Sequence, residues 1–438
     1  MVANGFRVRS AIGLVATLAA LAGSACTIAV GGTDPSTATG TTAPSIASPS
    51  GSSADSPTRS AASGRLAIVG RDGGLSTSLP DGSDQVVLVE GDSDVKASQP
   101  TWSPDGRQIA WVALDQAQGT GAIIVAGARG EDPVTAPTPF VPYYLGWDPT
   151  GSRVAFLGSG GDPAVPVELG VLTVGDAEPP QAIAGGSPFF YFAWGPDGDR
   201  VVAHAGADRL EEIDLSGRAS RSIERPGLFS TPSWSADGRT LVYVARGEAG
   251  VQRLMVRTDG GNPRAVAQGE GVYSFLLSPD GTRLAYQLLG PQRDRTDGPT
   301  LAIARTPSGG IWVADLSSGK TERATQRPAM TFAWSPDSQR VLALSPVEGE
   351  GPPTFAWQVW EGRTTATVDG LHTPTLEYFR EYAPFFTQYA QNTTPWSPKG
   401  SAFAYASEGP GGAGQVVVQQ VGGERVVVGP GIFVTWSP

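Results

Sequence analysis

The sequence has little of what most enzymes use for acid–base or metal chemistry. Among its 438 residues there are two histidines and one cysteine, and charged residues make up 17%. A single cysteine excludes an intramolecular disulfide and a zinc site built from several thiolates. The two histidines, His204 and His372, are not at metal-binding spacing, and no Gly-x-Ser-x-Gly nucleophile elbow occurs. We therefore expect no metal, no cofactor and no catalytic residue.

Lysine is also scarce, and acidic residues outnumber basic ones. The chain has three lysines and a net charge of −11. Such an acidic chain does not favour a nucleic-acid backbone or an anionic lipid surface as its main partner. Long apolar runs are absent too, apart from residues 11–22, and this run is too short for a stable membrane-spanning helix.

The first 26 residues predict export. Arg7 and Arg9 precede the apolar run, and small residues then lead to Cys26, so residues 1–25 form a predicted signal peptide. A lone cysteine at this place resembles the lipid-attachment site of bacterial lipoproteins, although Gly23 replaces that family's usual leucine. The resemblance implies a lipid on Cys26 and a location at the outer face of the cell membrane. The alternative is a secreted protein with a free thiol.

The lipid prediction has a direct test. A Cys26→Ser variant should leave the membrane fraction, because a lipid anchor would have no attachment site. Fractionation of cells followed by immunoblotting measures this. A variant that stays in the membrane fraction to the wild-type extent would show that Cys26 is not the anchor.

Residues 26–63 consist mostly of serine, threonine, alanine, glycine and proline. This segment has no apolar periodicity and cannot bury enough surface to offset its ordering entropy. It is predicted to be a disordered tether. Residues 64–438 form the predicted folded domain.

Glycine and proline, by contrast, are abundant, with 58 and 37 residues, which favours many short strands joined by turns. The sequence Trp-Ser-Pro-Asp-Gly at residues 102–106 is followed by the alternating segment Ile109 to Val112. Variants of this unit recur at intervals of 40 to 62 residues, which is the period of a four-stranded propeller blade. The anchor residues of the units are Trp102, Trp147, Trp194, Trp234, Leu277, Trp334, Trp396 and Trp436.

Each unit has a simple physical interpretation. A strand ends on the anchor, proline presets the second turn position, and glycine supplies the left-handed conformation that follows. Three more strands complete a sheet that cannot bury both faces alone, so neighbouring sheets must stack. The large tryptophans are the predicted filling between adjacent blades.

The chain ends predict how the ring closes. Trp436 begins an eighth unit, and the segment from Gly64 to Ile68 supplies its continuation. We therefore predict an all-β fold: an eight-bladed propeller of four-stranded antiparallel blades, closed by the C-terminal strand joining the N-terminal strands. The alternative is seven blades, if the unit at Leu277 is misassigned.

These repeats resemble the TolB-type, or WD40-like, propeller repeats of periplasmic and secreted bacterial proteins. The resemblance covers residues 64–438 and rests on the recurrence of the motif. It departs at Thr150, Ala236, Ser338 and Lys399 within the turns. TolB has an N-terminal α/β domain where this chain has the low-complexity tether, so the resemblance implies the propeller fold and not the translocation role.

Three connections are longer than a blade needs: residues 290–309, 346–353 and 369–394. The strand order places all three at the rim opposite the Ser-Pro-Asp-Gly turns, and loops on a rigid scaffold often bind ligands. The last connection has six aromatic residues within twelve positions. The candidate binding residues are Arg293, Arg295, His372, Tyr378, Arg380, Tyr382, Phe385, Phe386 and Tyr389. The alternative interpretation is an aromatic core that plugs the ring.

The leading functional prediction is a non-catalytic, membrane-tethered propeller that binds a protein or cell-envelope component through this rim. A second interpretation is a propeller lyase or glycosidase acting on polysaccharide, which paired carboxylates in a central pocket would support. A third is a sensor subunit of the envelope, which differs from the first only in its partner.

Overall fold

The computed structural model describes residues 64–438 except 93, 139, 160–166, 177–178, 184–187, 207, 217–219, 229, 291–308 and 350–352. The described strands form eight antiparallel sheets, so the predicted eight-bladed propeller is confirmed. The unit at Leu277, which lacks the tryptophan, forms a four-stranded sheet like its neighbours, so the count is not seven. Blade 1 contains both ends of the domain, and blades 2 to 8 follow along the chain.

The first strands line the axis, because those of neighbouring blades contact one another. From blade 2 to blade 7 and then blade 1, the first strands are β4 (Val95–Trp102), β8 (Pro142–Trp147), β12 (Phe189–Trp194), β16 (Ser233–Trp234), β20 (Val272–Leu277), β24 (Thr331–Trp334) and β31 (Phe433–Trp436). The second strands, from blade 1 to blade 8, are β1 (Leu66–Val69), β5 (Gln108–Asp115), β9 (Arg153–Ser159), β13 (Arg200–Ala205), β17 (Thr240–Arg246), β21 (Arg283–Leu289), β25 (Arg340–Val347) and β28 (Ala402–Glu408).

The third and fourth strands complete the blades outward. The third strands are β2 (Leu75–Ser78), β6 (Thr120–Gly127), β10 (Val167–Thr173), β14 (Arg209–Asp214), β18 (Val251–Thr258), β22 (Trp312–Asp315), β26 (Thr354–Glu361) and β29 (Gly414–Gln420). The fourth strands, mostly exposed, are β3 (Val86–Val89), β7 (Val134–Thr138), β11 (Gln181–Ala182), β15 (Ser220–Glu224), β19 (Arg264–Glu270), β23 (Thr321–Arg323), β27 (Thr364–Thr367) and β30 (Arg425–Pro430). Short 3₁₀ turns span Glu248–Gly250 and Pro410–Gly412.

Blade 1 closes the ring as predicted. Strand β31 pairs antiparallel with β1, with Trp436 opposite Leu66 and Phe433 opposite Val69. Beyond the strand, the Ser437 N–H donates to the Arg65 carbonyl at 2.8 Å, and the Arg65 N–H donates to the Ser437 hydroxyl at 2.8 Å. The first strand of blade 8 is reduced to one bridge between Trp396 and Phe403, so that sheet has three regular strands.

The recurrent turn residues are structural. In blade 2 the Ser103 hydroxyl donates to the Asp105 carboxylate at 2.7 Å, and that carboxylate accepts the Arg107 N–H at 3.0 Å. The bond from Ser103 holds the pKa of Asp105 below its usual value. Gly106 has the predicted left-handed φ of +68°. At the corresponding position of blade 7, Ser338 also has a left-handed φ, and its hydroxyl accepts the Asp280 N–H of blade 6 at 3.0 Å.

The anchor tryptophans fill the space between blades, as predicted. Several of their indole N–H groups donate to the carbonyl of the residue just before the preceding blade's anchor. These bonds are Trp147 to Thr101 (3.1 Å), Trp194 to Gly146 (2.8 Å), Trp334 to Leu276 (2.9 Å) and Trp396 to Ala333 (3.3 Å). The two faces of each second strand then pack on different neighbours: Ile109 and Trp111 join one apolar cluster, and Ala110 and Val112 another.

Candidate functional site

The longest connection, residues 369–394, joins β27 of blade 7 to blade 8, and we call it the exit insertion. Its Glu377 lies 3.1 Å from Arg71, which lies 2.9 Å from Glu408. Arg71 lies in the β1–β2 connection, and Glu408 is the last residue of β28. Both residues therefore lie at the end of a blade where the second strand connects to the third. The exit insertion therefore lies at the rim opposite the Ser-Pro-Asp-Gly turns, which we call the upper rim.

The other two predicted insertions contribute less to the described site. Arg293 and Arg295 belong to residues 291–308, which lie outside the described part of the chain. In blade 7 the connection after the second strand is shorter than predicted, because β25 continues through Val347 and pairs there with Thr354 of β26.

The aromatic part of the exit insertion is helical but irregular. A π-helical turn spans Tyr378–Tyr382, a 3₁₀ turn spans Ala383–Phe385, and a short α-helix, α1, spans Phe386–Tyr389. Thr375 caps the first turn, since its hydroxyl accepts the Tyr378 N–H at 3.3 Å. Proline at position 384 has no N–H for a regular helical bond, which fits the change of helix type there.

Hydrogen bonds tie the exit insertion to the first strands around the axis. The Gln388 amide pairs with both the N–H and the carbonyl of Phe192, each at 3.1 Å, and is buried. The other bonds reach the first strands, or the residues just before them, in four more blades. They are Thr101 hydroxyl to Asn392 carbonyl (3.0 Å), Thr387 with Thr231 hydroxyl (3.2 Å), Gln391 to Pro232 carbonyl (3.3 Å), Tyr378 with Thr331 hydroxyl (2.8 Å), and Trp436 N–H to Thr394 carbonyl (3.0 Å).

The structure brings five of the predicted aromatic residues together in the axial channel. They are Tyr378, Tyr382, Phe385, Phe386 and Tyr389. Their rings contact first-strand rings: Phe386 lies 5.0 Å from Phe332, Tyr382 5.4 Å from Phe433, and Tyr389 5.0 Å from Tyr144, between ring centroids. The exit insertion thus fills the channel as a plug. Its role in binding stays a prediction.

Burial fixes the protonation state of these phenols. It raises the pKa of Tyr382 to about 12 and raises the pKa of Tyr378 and Tyr389 further above the usual value. The hydroxyls are therefore neutral hydrogen-bonding groups and not bases or nucleophiles at neutral pH. Tyr378 and Tyr382 also line a cavity of about 40 Å³, whose described lining is apolar, hydroxyl and aromatic, with no carboxylate and no histidine.

His372 lies apart from the plug. Its backbone pairs with Phe355 of β26, and its ring stacks on Trp357, with centroids 5.6 Å apart and planes at 12°. Its Nε2 is buried and has no hydrogen-bond partner among the described residues. Arg380, by contrast, is exposed at the upper rim. Both residues were predicted as polar edges of an aromatic surface, and both lie outside the plug; their role in binding stays a prediction.

The two histidines give the fold a pH dependence that we can predict. Burial lowers the pKa of His204 and of His372 to about 4, from 6.5. The unfolded chain therefore binds more protons below about pH 6.5, and stability falls as the pH drops from there towards 4. We expect the free energy of unfolding, measured by urea titration, to decrease by up to about 1.4 kcal/mol per pH unit for each histidine.

In a His204→Gln variant, the free energy of unfolding should change with pH about half as steeply as in the wild type between pH 6.5 and 4.5. The pKa of Asp84 is lowered from 3.8 to about 2, so its contribution to stability is lost mainly as the pH falls from 3.8 towards 2, which is below this window. A slope that is the same in the variant and the wild type would mean that His204 titrates normally in the folded protein.

Sequence reasoning missed several side chains at the upper end of the channel. Tyr143 and Tyr144 precede the anchor Trp147, and Phe190 and Tyr191 precede Trp194, at matching distances in the sequence. These aromatic pairs could have been identified from the sequence, because each residue lies three or four positions before an anchor tryptophan. All four are half-buried.

Two classes of site are absent from the residues that the structure describes. Among them, no three histidine, cysteine or acidic side chains are grouped so that they could hold a metal ion. Within the same residues, no helix is long and apolar enough to span a bilayer.

The ring of eight sheets defines the chain as a β-propeller, the fold that the TolB-type repeats predict. No protein-family model and no curated protein matches the sequence. Among solved structures, the chain is similar to dihydro-heme d1 dehydrogenase NirN in complex with DHE, at 13% identity over 86% of this chain and 76% of that one, with a TM-score of 0.56.

Two further solved structures are similar. Oligogalacturonate lyase from Vibrio parahaemolyticus matches at 12% identity over 82% of this chain and 96% of its own, with a TM-score of 0.50. TolB from Acinetobacter baumannii matches at 16% identity over 78% and 82%, with a TM-score of 0.39. At these identities, the likeness to the dehydrogenase and the lyase shows the propeller fold alone.

Proposed function

We propose that this chain is an exported, non-catalytic propeller that binds a protein of the cell envelope through its upper rim. A lipid on Cys26 would hold it at the outer face of the membrane, with residues 27–63 setting its reach. The observation that supports binding over catalysis is the plugged channel. Where a propeller enzyme needs an open axial pocket, this chain places a buried aromatic insertion bonded to the first strands.

The enzymatic alternative has less support. Polysaccharide hydrolysis needs paired carboxylates around the scissile bond, and the described lining of the cavity beside Tyr378 and Tyr382 has none. The similarity to an oligogalacturonate lyase is one of fold, and it transfers no activity at 12% identity. An envelope sensor would use the same surface and differ only in its partner.

The upper rim offers a firm apolar surface for a partner. Leu371 is 58% exposed and Leu376 is 46% exposed, and both belong to the exit insertion. The Arg71 ion pair with Glu377 holds the neighbouring backbone to blade 1. Apolar side chains fixed on a rigid scaffold bind with little loss of conformational entropy, which makes them suitable anchors of an interface.

The proposal predicts which surface captures a partner. Leu371→Ser with Leu376→Ser should abolish partner capture in an in-cell cross-linking pull-down, with the fold unchanged by circular dichroism. Removing the whole insertion is a poorer test, because the insertion packs against the first strands. The matched control is Val426→Ser with Val427→Ser, since these residues are 46% and 56% exposed on the outer strand β30.

Loss of the partner in the leucine variant and its retention in the valine variant would support the upper rim as the binding surface. Equal capture by the wild type and both variants would contradict the proposal. Turnover of a uronate oligosaccharide by the purified protein would favour the enzymatic alternative instead.

A further inference from the structure

A pocket of about 160 Å³ lies between blades 3 and 4. Arg153 begins β9, Thr173 ends β10 and Asp214 ends β14, and all three line it. The pocket therefore lies towards the end of these blades that carries the Ser-Pro-Asp-Gly turns. Strand β11, the fourth strand of blade 3, has only two residues, and both also line the pocket. The exit insertion supplies none of the described lining, so this pocket is separate from the upper rim.

One part of the lining is apolar. It consists of Val171, Ile183, Ile213 and Leu215, which belong to the apolar cluster between blades 3 and 4 or pack against it. This surface is therefore supported from behind by the core and is fixed in shape. A cavity of about 150 Å³ accommodates a molecule of benzene, so the pocket has the size that one six-membered ring needs.

Arg153 is the basic residue of the lining, and its guanidinium is held in place. Its Nε donates to the Asp148 carboxylate at 3.4 Å, and its Nη2 donates to the Gly198 carbonyl and, at 3.2 Å, to the Asp199 carboxylate. Its Cζ also lies 5.5 Å from the centroid of the Trp194 ring. The other terminal nitrogen, Nη1, has no hydrogen-bond partner among the described residues. Its two N–H groups are therefore available to a ligand that accepts hydrogen bonds.

The charges of the lining select against an anion. Asp176 and Asp214 line the pocket together with the amide of Gln181. Asp148 is fully buried and offsets the charge of Arg153, so the two lining carboxylates leave the described lining negative. A carboxylate or phosphate ligand would be repelled. An ammonium group could pair with the carboxylates, but it has no acceptor for the N–H groups of Arg153.

We propose that this pocket binds one neutral sugar ring. A hydroxyl group both donates and accepts, so neighbouring hydroxyls of a sugar can accept from Arg153 and donate to Asp176 and Asp214. The C–H groups of the ring pack on the apolar part of the lining, and a few convergent polar groups on such a surface fix the orientation of a ligand. The site goes beyond the proposed function, because it is separate from the upper rim. The ring is either a free monosaccharide or the terminal residue of a glycan.

Saturation-transfer difference NMR on the full-length protein tests the site, with D-glucose, D-galactose and D-mannose as probes. At least one of these hexoses should bind, and the acyclic polyol sorbitol should bind at least about tenfold more weakly, because it is not preorganised as a ring. Asp176→Ala with Gln181→Ala should weaken hexose binding at least about tenfold, since it removes two polar groups of the lining. Both residues are exposed, so the melting temperature should not change. The matched control is Asp94→Ala with Gln116→Ala, two exposed residues of blade 2, which should bind like the wild type.

Arg153→Lys tests the donor separately. Lysine keeps a positive charge beside Asp148 but lacks the forked guanidinium, so the variant should fold, by circular dichroism, and bind the hexose at least about tenfold more weakly. Binding of the hexose as the terminal residue of a disaccharide would indicate a glycan end, and binding of the monosaccharide alone would indicate a free sugar. Binding of none of the three hexoses, equal binding of sorbitol, or an unchanged affinity in the Asp176 and Gln181 variant would overturn the sugar site.

Discussion

Removing residues 433–438 is expected to abolish the cooperative thermal unfolding of the propeller. These residues contain β31, the first strand of blade 1, and its removal would leave β1 without its inner partner. Trp436 is almost fully buried and fills the space beside blade 8. The loss of one buried tryptophan side chain alone costs about 3–5 kcal/mol, which is a large part of the stability of most domains.

A relocated strand is the control for this experiment. Moving residues 433–438 to a position directly before Gly64 makes blade 1 continuous in sequence, because Ser437 already bonds to Arg65. This variant should keep the strand content and a melting transition by circular dichroism, while the truncated chain should lose both. A truncated chain that still melts cooperatively near the wild-type temperature would show that the closing strand is dispensable.

Phe386→Ala should lower the free energy of unfolding by about 3–5 kcal/mol. Phe386 is 4% exposed, contacts Phe332 with centroids 5.0 Å apart, and belongs to the apolar cluster between blades 6 and 7. If the exit insertion is part of the core, truncating this side chain leaves a cavity at the axis. Chemical denaturation followed by tryptophan fluorescence measures the change.

Arg380→Ala is the matched control, since Arg380 is exposed on the same insertion. Surface substitutions of this kind change stability by no more than about 0.5 kcal/mol. Equal effects of the two substitutions would mean that the insertion does not contribute to the core, and the aromatic residues would again be free to act as a binding platform.

The repeat predicted the architecture well because each blade follows from a local pattern. The anchor, the turn and the alternating second strand are all within about fifteen residues, and Ile109 and Ala110 pack on opposite sides as the alternation predicts. The closure of the ring was predicted from the same pattern, because one unit begins at the C-terminal end of the chain and continues at the start of the folded domain. Even the divergent turn at Ser338 forms, because its hydroxyl bonds to the neighbouring blade.

The candidate site was less predictable, because its geometry depends on the diameter of the ring. Nothing local indicates that Gln388 pairs with Phe192, which is 196 residues away. Nothing local indicates either that His372 extends the sheet of blade 7 through its bridge to Phe355. The mixed helix of the exit insertion has no single period from which its inward side could be read.

The strand order of blade 1 also has a mechanical consequence. Strand β1 lies between β31 and β2 and is paired to each over four residues. Its hydrogen bonds are perpendicular to the strand, so a force that pulls on the chain before Gly64 acts along β1 and loads both ladders in shear at once. If residues 26–63 transmit tension from the membrane, the force acts first on β1, which is hydrogen-bonded on both sides, and not on a strand at the edge of a sheet.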